Sequence, residues 1–338
     1  MSDTRTVPAG RPAVADGIDD LVGSTPLVRL RPTGVPDDVR VLAKLESANP
    51  LSSIKDRAAL FMLRAAEERG ELPPGGTVVE ATSGNTGIAL AALSAARGYR
   101  CVIVLPDSAT AERIALLGAL GAEVVRTPRD AGYPGAIARA EEIHAATPGS
   151  WFCRQHENPD NVRAHYASTG PEIWAATAGE IDVLVCGVGT GGTLTGIARY
   201  LKERDPAVRI VAVEPENSPV LSRGTAGQHR IPGLNGGFVA ATTDVSLIDR
   251  IVTVSDEDAM AAARALARRQ GVLAGVSSGA AVHACAELAA KPEYAGKTLV
   301  TVLPDTGERY LSEWGSPAPA PAPAPPSAPV EQGETPCR

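Results

Sequence analysis

A lysine amine can form an imine with an aldehyde and, once desolvated, can act as a base near neutral pH. Lys55 is the candidate for such chemistry. It stands in NPLSSIKDRAAL (Asn49–Leu60), flanked by Ser52, Ser53, Asp56 and Arg57. The preceding VRVLAKLE reads as a strand, and the following DRAALFMLRAAEER is rich in helix formers. Lys55 therefore lies where a loop becomes a helix, an end whose partial positive charge disfavours a structural lysine. The ordinary alternative is a surface lysine paired with Asp56.

Three further loops carry candidate chemistry. ATSGNTGIAL (Ala81–Leu90) joins a strand to a helix with small hydroxyl residues, two glycines and Asn85. Its exposed N–H groups, hydroxyls and helix N-terminus suit a carboxylate, although an N-cap formed by Ser83, Asn85 or Thr86 explains part of that composition. GVGTGGTLTG (Gly187–Gly196) follows the apolar strand DVLVC and resembles an anion nest built for a phosphate. Gly187, Gly189 and Gly192 also satisfy G-x-G-x-x-G, with Glu214 ending the next strand about 20 residues on, so a nicotinamide-dependent dehydrogenase is a rival reading. AGVSSGAAVHA (Ala274–Ala284) starts another helix with Gly and Ser, and a simple helix start explains it as well as a ligand contact does. A dinucleotide site leaves Lys55 and the Ser-Gly-Asn loop without a purpose. A cofactor with one phosphate and one aldehyde, pyridoxal 5′-phosphate, uses all of them.

Around these loops, short apolar strands alternate with helices: TVVEA, CVIVLP, AEVVRT, DVLVCG, RIVAVEP, IVTVS and TLVTVLP. Continuous Val/Ile/Leu strands with intervening helices predict an α/β fold with mostly parallel sheets covered on both faces. Two such runs flank the polar stretch RQHENPDN, predicting two three-layer α/β domains with a cleft between them. The expected organisation is a flexible N-terminus at 1–16, a domain at 17–158, a second domain at 159–315 and a disordered Pro/Ala-rich tail at 316–338 carrying Cys337.

The chain has 338 residues, 44% of them hydrophobic, and a formal charge of −7, so it can bury a sizeable core. The absence of a basic run argues against nucleic acid, and no apolar stretch approaches the roughly 20 residues that cross a bilayer. Without an apolar signal core at the start, the expectation is a cytoplasmic protein. The five cysteines are scattered singly, which speaks against a disulfide framework and a metal site.

NPLSSIKDR, ATSGNTGIAL, GVGTGGTLTG, GVSSGAA and EPENSPVLS, taken together and in order, resemble the cysteine synthases, the O-acetylserine sulfhydrylases of pyridoxal-phosphate fold type II, tryptophan synthase β-like in architecture. TGPEIW and PDTGERYLS extend the resemblance, which covers roughly Ile18 to Trp314. It implies that Lys55 is the Schiff-base lysine and acid/base. It implies that Asn85 meets the ring's 3′ oxygen, that Gly189, Thr190, Gly191, Gly192 and Thr193 hold the phosphate, and that Ser277 contacts the pyridine nitrogen. Thr82, Ser83, Thr86 and Gln155 would receive the substrate carboxylate. Gly233, in the loop IPGLNGGF, would border the substrate at the mouth. The implied reaction is β-replacement of O-acetyl-L-serine by sulfide, giving L-cysteine and acetate in a homodimer, with the C-terminal tail of serine acetyltransferase as a partner for the cleft. Closure of the smaller domain would exclude water. Threonine dehydratases share the fold but lack the SxKDR pattern. Four positions depart from the family pattern: Ser52 replaces a glycine, Ala109 a methionine, Ile114 an arginine, and Asn235 a glycine. Ala109 is expected to open space and Asn235 to add a donor and an acceptor; both tolerate sulfide and also permit a larger nucleophile, the alternative being a specialised pathway making a diaminopropionate- or cystathionine-type product.

Overall fold

The computed structural model describes residues 11–312 and 314. The Pro/Ala tail with Cys337, and most of the segment expected to be loose at the N-terminus, lie outside the described residues. The elements run β1 (Leu27–Leu30), β2 (Arg40–Leu45), α1 (Lys55–Glu68), β3 (Thr77–Ala81), α2 (Asn85–Arg97), β4 (Arg100–Pro106), α3 (Ala111–Ala119), β5 (Glu123–Thr127), α4 (Gly132–Ala146) and β6 (Ser150–Phe152). There follow α5 (Pro159–Ala164), a π turn, α6 (Gly170–Ala176), β7 (Val183–Gly187), α7 (Gly192–Lys202), β8 (Arg209–Pro215), α8 (Val220–Arg223), β9 (Arg250–Val254), α9 (Asp256–Gln270), α10 (Val276–Ala289) and β10 (Thr298–Leu303).

The strands form two sheets. One has the order β5-β4-β3-β6 and is parallel throughout. The other has the order β1-β2-β10-β7-β8-β9 and is parallel except for β1, which runs antiparallel along β2. Period-2 alternation explains why both sheets are sandwiched by helices. In the six-stranded sheet Val183, Val185, Val211 and Val213 face α9 and α10, while Leu184, Ile210, Ala212 and Val300 face α7 and Ile173 of α6. In the four-stranded sheet Val78, Ile103 and Leu105 face α1 and α2, while Val79, Val102 and Val104 face Ala136 and Ala140 of α4. Each such fully buried Val, Leu or Ile contributes on the order of 1.5–3 kcal/mol, and the two apolar faces of each sheet hold three layers together. The expected α/β class with mostly parallel sheets is what the structure has.

The division expected at residues 158 and 159 differs from the partition of the sheets. β1 and β2 come from the first part of the chain but join the larger sheet, because Leu299 of β10 pairs with Val41 on one side and Val183 on the other. A network of buried and partly buried charges fixes this crossing. Arg57 of α1 reaches Glu46 at 2.8 Å and Glu172 of α6 at 2.7 Å, and Lys44 of β2 reaches Glu172 at 2.7 Å. Buried charges need such partners, and removing one leaves the others uncompensated.

Because β2, β10 and β7 run the same way, the loops after them emerge at one edge of the larger sheet. These loops carry Lys55, Asp305 and the glycine run Gly187–Gly192. The loops after β3 and β6 emerge from the smaller sheet and face them, which is where open parallel sheets bind ligands.

Candidate active site

The two sets of loops enclose a cleft of about 1360 Å³ of empty space, open to solvent. Lys55, Thr82, Ser83, Asn85, Thr86, Gln155, Gly189, Thr190, Gly191, Thr193, Gly233 and Ser277 all line it. Gly192 does not; it is the first residue of α7, and a side chain there would collide with Asn161.

Lys55 is half-buried at the first position of α1. Asp56 is not its partner. The Asp56 carboxylate instead accepts from the Leu51 N–H at 2.7 Å and the Ser53 hydroxyl at 3.3 Å, shaping the loop that presents the lysine. Lys55 makes no ion pair among the described residues. Burial lowers its affinity for a proton, with the Asp305 carboxylate opposing that effect. An amine held this way is closer to its neutral, nucleophilic form than a surface lysine.

The glycine loop is tied down from several sides. Thr190 accepts at its hydroxyl from Asn161 at 3.0 Å, and its carbonyl accepts from Thr242 at 2.5 Å and Thr243 at 3.3 Å. Gly191 has φ +80°, and a Cβ there would collide with Thr243; one at Gly189 would collide with the Gly233 carbonyl. Only glycine fits these approaches. The result is the N-terminus of an 11-residue helix, α7, with its N-cap Gly191 and Thr193 of its first turn lining the cleft.

Opposite lies the Thr82–Thr86 loop at the start of α2. Thr86 donates to Gln155 at 2.5 Å, and Gln155 is bonded in turn to Glu80. Glu80 also accepts from the N–H of Arg154 at 2.9 Å, and Arg154 has the left-handed φ of +49°. Burial pushes Glu80 up to about 8. Asn85 donates to Asp305 at 2.6 Å and accepts from Arg309. One of its two amide protons is left for a ligand.

The sequence reading missed a third wall made of Arg113, Tyr133, His156, Cys186, Asp305 and Tyr310. Arg113 lies over the Tyr310 ring at 5.5 Å, and Tyr310 donates to Asp305. Burial holds the Cys186 thiol up at about 12, which keeps it protonated and inert. Glu80 did leave a signal: it is the one charged residue in the wholly buried strand TVVEA. Tyr133 and Arg113 left none, since only the fold brings their helices to the cleft.

Two expectations about added space are corrected. Ala109 does not line the cleft; it packs beside Ile114 against the core under α2. Asn235 does line it, but its amide donates to the Ser218 carbonyl at 2.8 Å and accepts from Gly237 N–H at 3.1 Å, so it chiefly ties the mouth loop. Glu214 also does not fit a dinucleotide site. Its carboxylate is occupied by Leu221 N–H at 2.7 Å and by Ser222 at 2.5 Å and 3.0 Å.

Tested against pyridoxal phosphate, the donor set fits: one desolvated amine, one helix N-terminus whose glycines leave no room for a Cβ, a buried serine at the start of α10 and an amide with a free proton. Among the described residues no helix is long and apolar enough to cross a membrane. The chain is 46% identical over 300 residues to cysteine synthase A of Escherichia coli K12, covering 86% of this chain and 92% of that protein. Among solved structures it superposes on the cysteine synthase of Entamoeba histolytica with a TM-score of 0.86 and 41% identity, over 90% of this chain and 91% of that one. It superposes on an O-ureido-L-serine synthase with a TM-score of 0.85 and 44% identity, over 88% and 94%. The profile of one family, described as pyridoxal-phosphate dependent enzyme, matches residues 18–305, and the chain belongs to that family.

Proposed function

We propose that the protein is a cysteine synthase, replacing the acetoxy group of O-acetyl-L-serine with sulfide to give L-cysteine and acetate. The observation that carries this reading is the convergence of Lys55, the α7 N-terminus and the Thr82–Thr86 loop on one cleft. Pyridoxal phosphate, when bound, supplies an aldehyde for imine formation and a ring that withdraws electrons from the substrate's Cα. Gly189, Thr190, Gly191 and Thr193 line the cleft and would hold the phosphate, with Gly192 setting the helix start behind them. Asn85 would offer its free amide proton to the ring oxygen, and Ser277 would serve the ring nitrogen. Thr82, Ser83, Thr86 and Gln155 receive the substrate carboxylate, and Gly233 borders it. Lys55 takes the Cα proton as acetate departs with the Cβ–O electron pair. It returns that proton to Cα once sulfur has bonded to Cβ. Closure of the loops of the smaller sheet excludes water in between. The resemblance further supports a cytoplasmic homodimer whose cleft accepts the C-terminal tail of serine acetyltransferase.

A second reading keeps the first half-reaction and changes the nucleophile. A side cavity of about 700 Å³ lies behind Tyr133, Gln155 and His156, residues it shares with the cleft, and is lined also by Ile137, Phe152 and Phe238. It offers room that sulfide does not need, and one neighbouring structure is that of an O-ureido-L-serine synthase.

The experiment measures acetate and L-cysteine from O-acetyl-L-serine with sulfide, alongside the visible absorbance of the purified protein. Lys55→Ala is expected to lose at least about 10³-fold in rate and to change the absorbance. A colourless wild-type protein would end the cofactor reading. Acetate release that sulfide does not accelerate, while a larger amine or thiol does, would favour the second reading over the first.

A further inference from the structure

Between α5 and α6 the helix opens into one π turn at His165–Thr169. Such turns recur at functional sites. This one aims a buried imidazole at the glycine loop. The His165 Nδ1 lies 2.9 Å from the Thr169 hydroxyl, and Nε2 lies 3.2 Å from the hydroxyl of Thr193, which lines the cleft. The approach is close: a Cβ on Gly196 of α7 would stand 2.7 Å from the His165 Cβ. Burial, with Lys55 and Arg57 acting in the same direction and Glu172 against it, holds His165 well below its ordinary range. The ring is therefore neutral, with one nitrogen donating and the other accepting.

We propose that His165 is a positioning residue for the anion site at the start of α7, its Nε2–H donating to the Thr193 hydroxyl while Nδ1 accepts from Thr169. This tautomer leaves the Thr193 proton free to face an anion in the cleft. In the other tautomer Thr193 would donate to the ring and present only lone pairs to that anion. The inference rests on the reading of the glycine loop as a phosphate site.

The test uses the holoenzyme labelled with ¹⁵N-histidine, together with resolved protein reloaded with either pyridoxal 5′-phosphate or pyridoxal, which lacks the phosphate. Long-range ¹H–¹⁵N correlation is expected to show an Nε2–H tautomer for one buried histidine, its signals lost in His165→Gln. Thr169→Val, nearly isosteric, removes the donor to Nδ1. It is expected to weaken pyridoxal 5′-phosphate binding about tenfold while leaving pyridoxal unchanged. His165→Ala should do the same, and His165→Gln, whose amide still donates, should recover most of the loss. An Nδ1–H tautomer, or equal weakening of both ligands, overturns the proposal. If wild type itself shows no preference for the phosphorylated ligand, the phosphate reading fails and the histidine role fails with it. If wild type prefers it and Thr169→Val does not alter the preference, the histidine role alone fails.

Discussion

The loops Ala81–Gly87 and Gly187–Thr193 have similar compositions and the same setting, each between a parallel strand and a helix, but the space around their glycines differs. At Gly191 and Gly189 a methyl group would collide with Thr243 and with backbone, and Gly191 needs φ +80°. At Gly84 the nearest atom to such a methyl is the Thr82 hydroxyl at 3.8 Å, and φ is −109°. In the Gly187–Thr193 loop glycine permits close packing; at Gly84 it leaves a gap. The difference fits a division of labour in which the larger sheet grips a permanent ligand, while the smaller sheet keeps a loop free to close over a transient one.

The largest expected effect tests the rigid side. Gly191→Ala combines a disfavoured left-handed residue with a clash, and is expected to cost about 2–4 kcal/mol. Urea denaturation of the loaded protein measures it, and cofactor retention should fall in parallel. A change below about 0.5 kcal/mol would show that the loop yields and that the contrast with Gly84 is empty.

A second prediction concerns charge beneath the mobile side. Burial raises Glu80 to about 8, while its ordinary value is about 4.5. Between those values the folded chain holds a proton that the unfolded chain has released. Stability therefore falls as pH rises through that window, by up to about 1.4 kcal/mol per pH unit from this group. Glu80→Gln, which stays neutral, should flatten the slope of denaturation midpoint against pH between 5 and 8. Asp56, raised to about 7 by burial, supplies a similar slope that the variant leaves in place. An unchanged profile in Glu80→Gln would mean that Glu80 is ionised across the whole range.

Ser52 returns to the rigid side. It holds φ +58° at a position where the resemblance leads one to expect glycine. Relief of left-handed strain is partly offset by glycine's greater freedom in the unfolded chain, so Ser52→Gly is expected to stabilise by up to about 1 kcal/mol. Turnover should not change. A loss of stability would show that the serine makes a compensating contact.

These contrasts also mark what could be read in the chain. The strands, the lysine at a helix start and both glycine loops were legible, because apolar runs and Gly/Ser/Thr loops are local signals. The pairing of β2 with β10 was not, since it joins Val41 to Leu299 across most of the chain and depends on the buried Arg57 network. The three-residue β6 is too short for a periodic signal. The π turn at His165–Thr169 was not read from the sequence, because one extra residue per turn leaves no periodic signal over five residues. Resemblance placed Ala109 and Asn235 at the cleft, and packing put one of them elsewhere and occupied most of the other.

The smallest stability effect is expected at Gly84, and it is the sharpest test of the comparison. Gly84 is the N-cap of α2 in extended backbone, a conformation open to alanine. Replacing glycine reduces the freedom of the unfolded chain, which stabilises by about 0.4–1 kcal/mol. Alanine is a poorer N-cap than glycine, which costs a similar amount. The net change in Gly84→Ala should lie within about 0.5 kcal/mol of zero, against several kcal/mol for the same methyl at Gly191. Its consequence should appear in function. A loop that closes by using the open space at Gly84 would close less readily, raising KM for O-acetyl-L-serine several-fold while cofactor retention stays constant. Were Gly84→Ala to match wild type in KM as well as in stability, the gap would have no part in closure and the smaller-sheet loop would be as rigid as its counterpart.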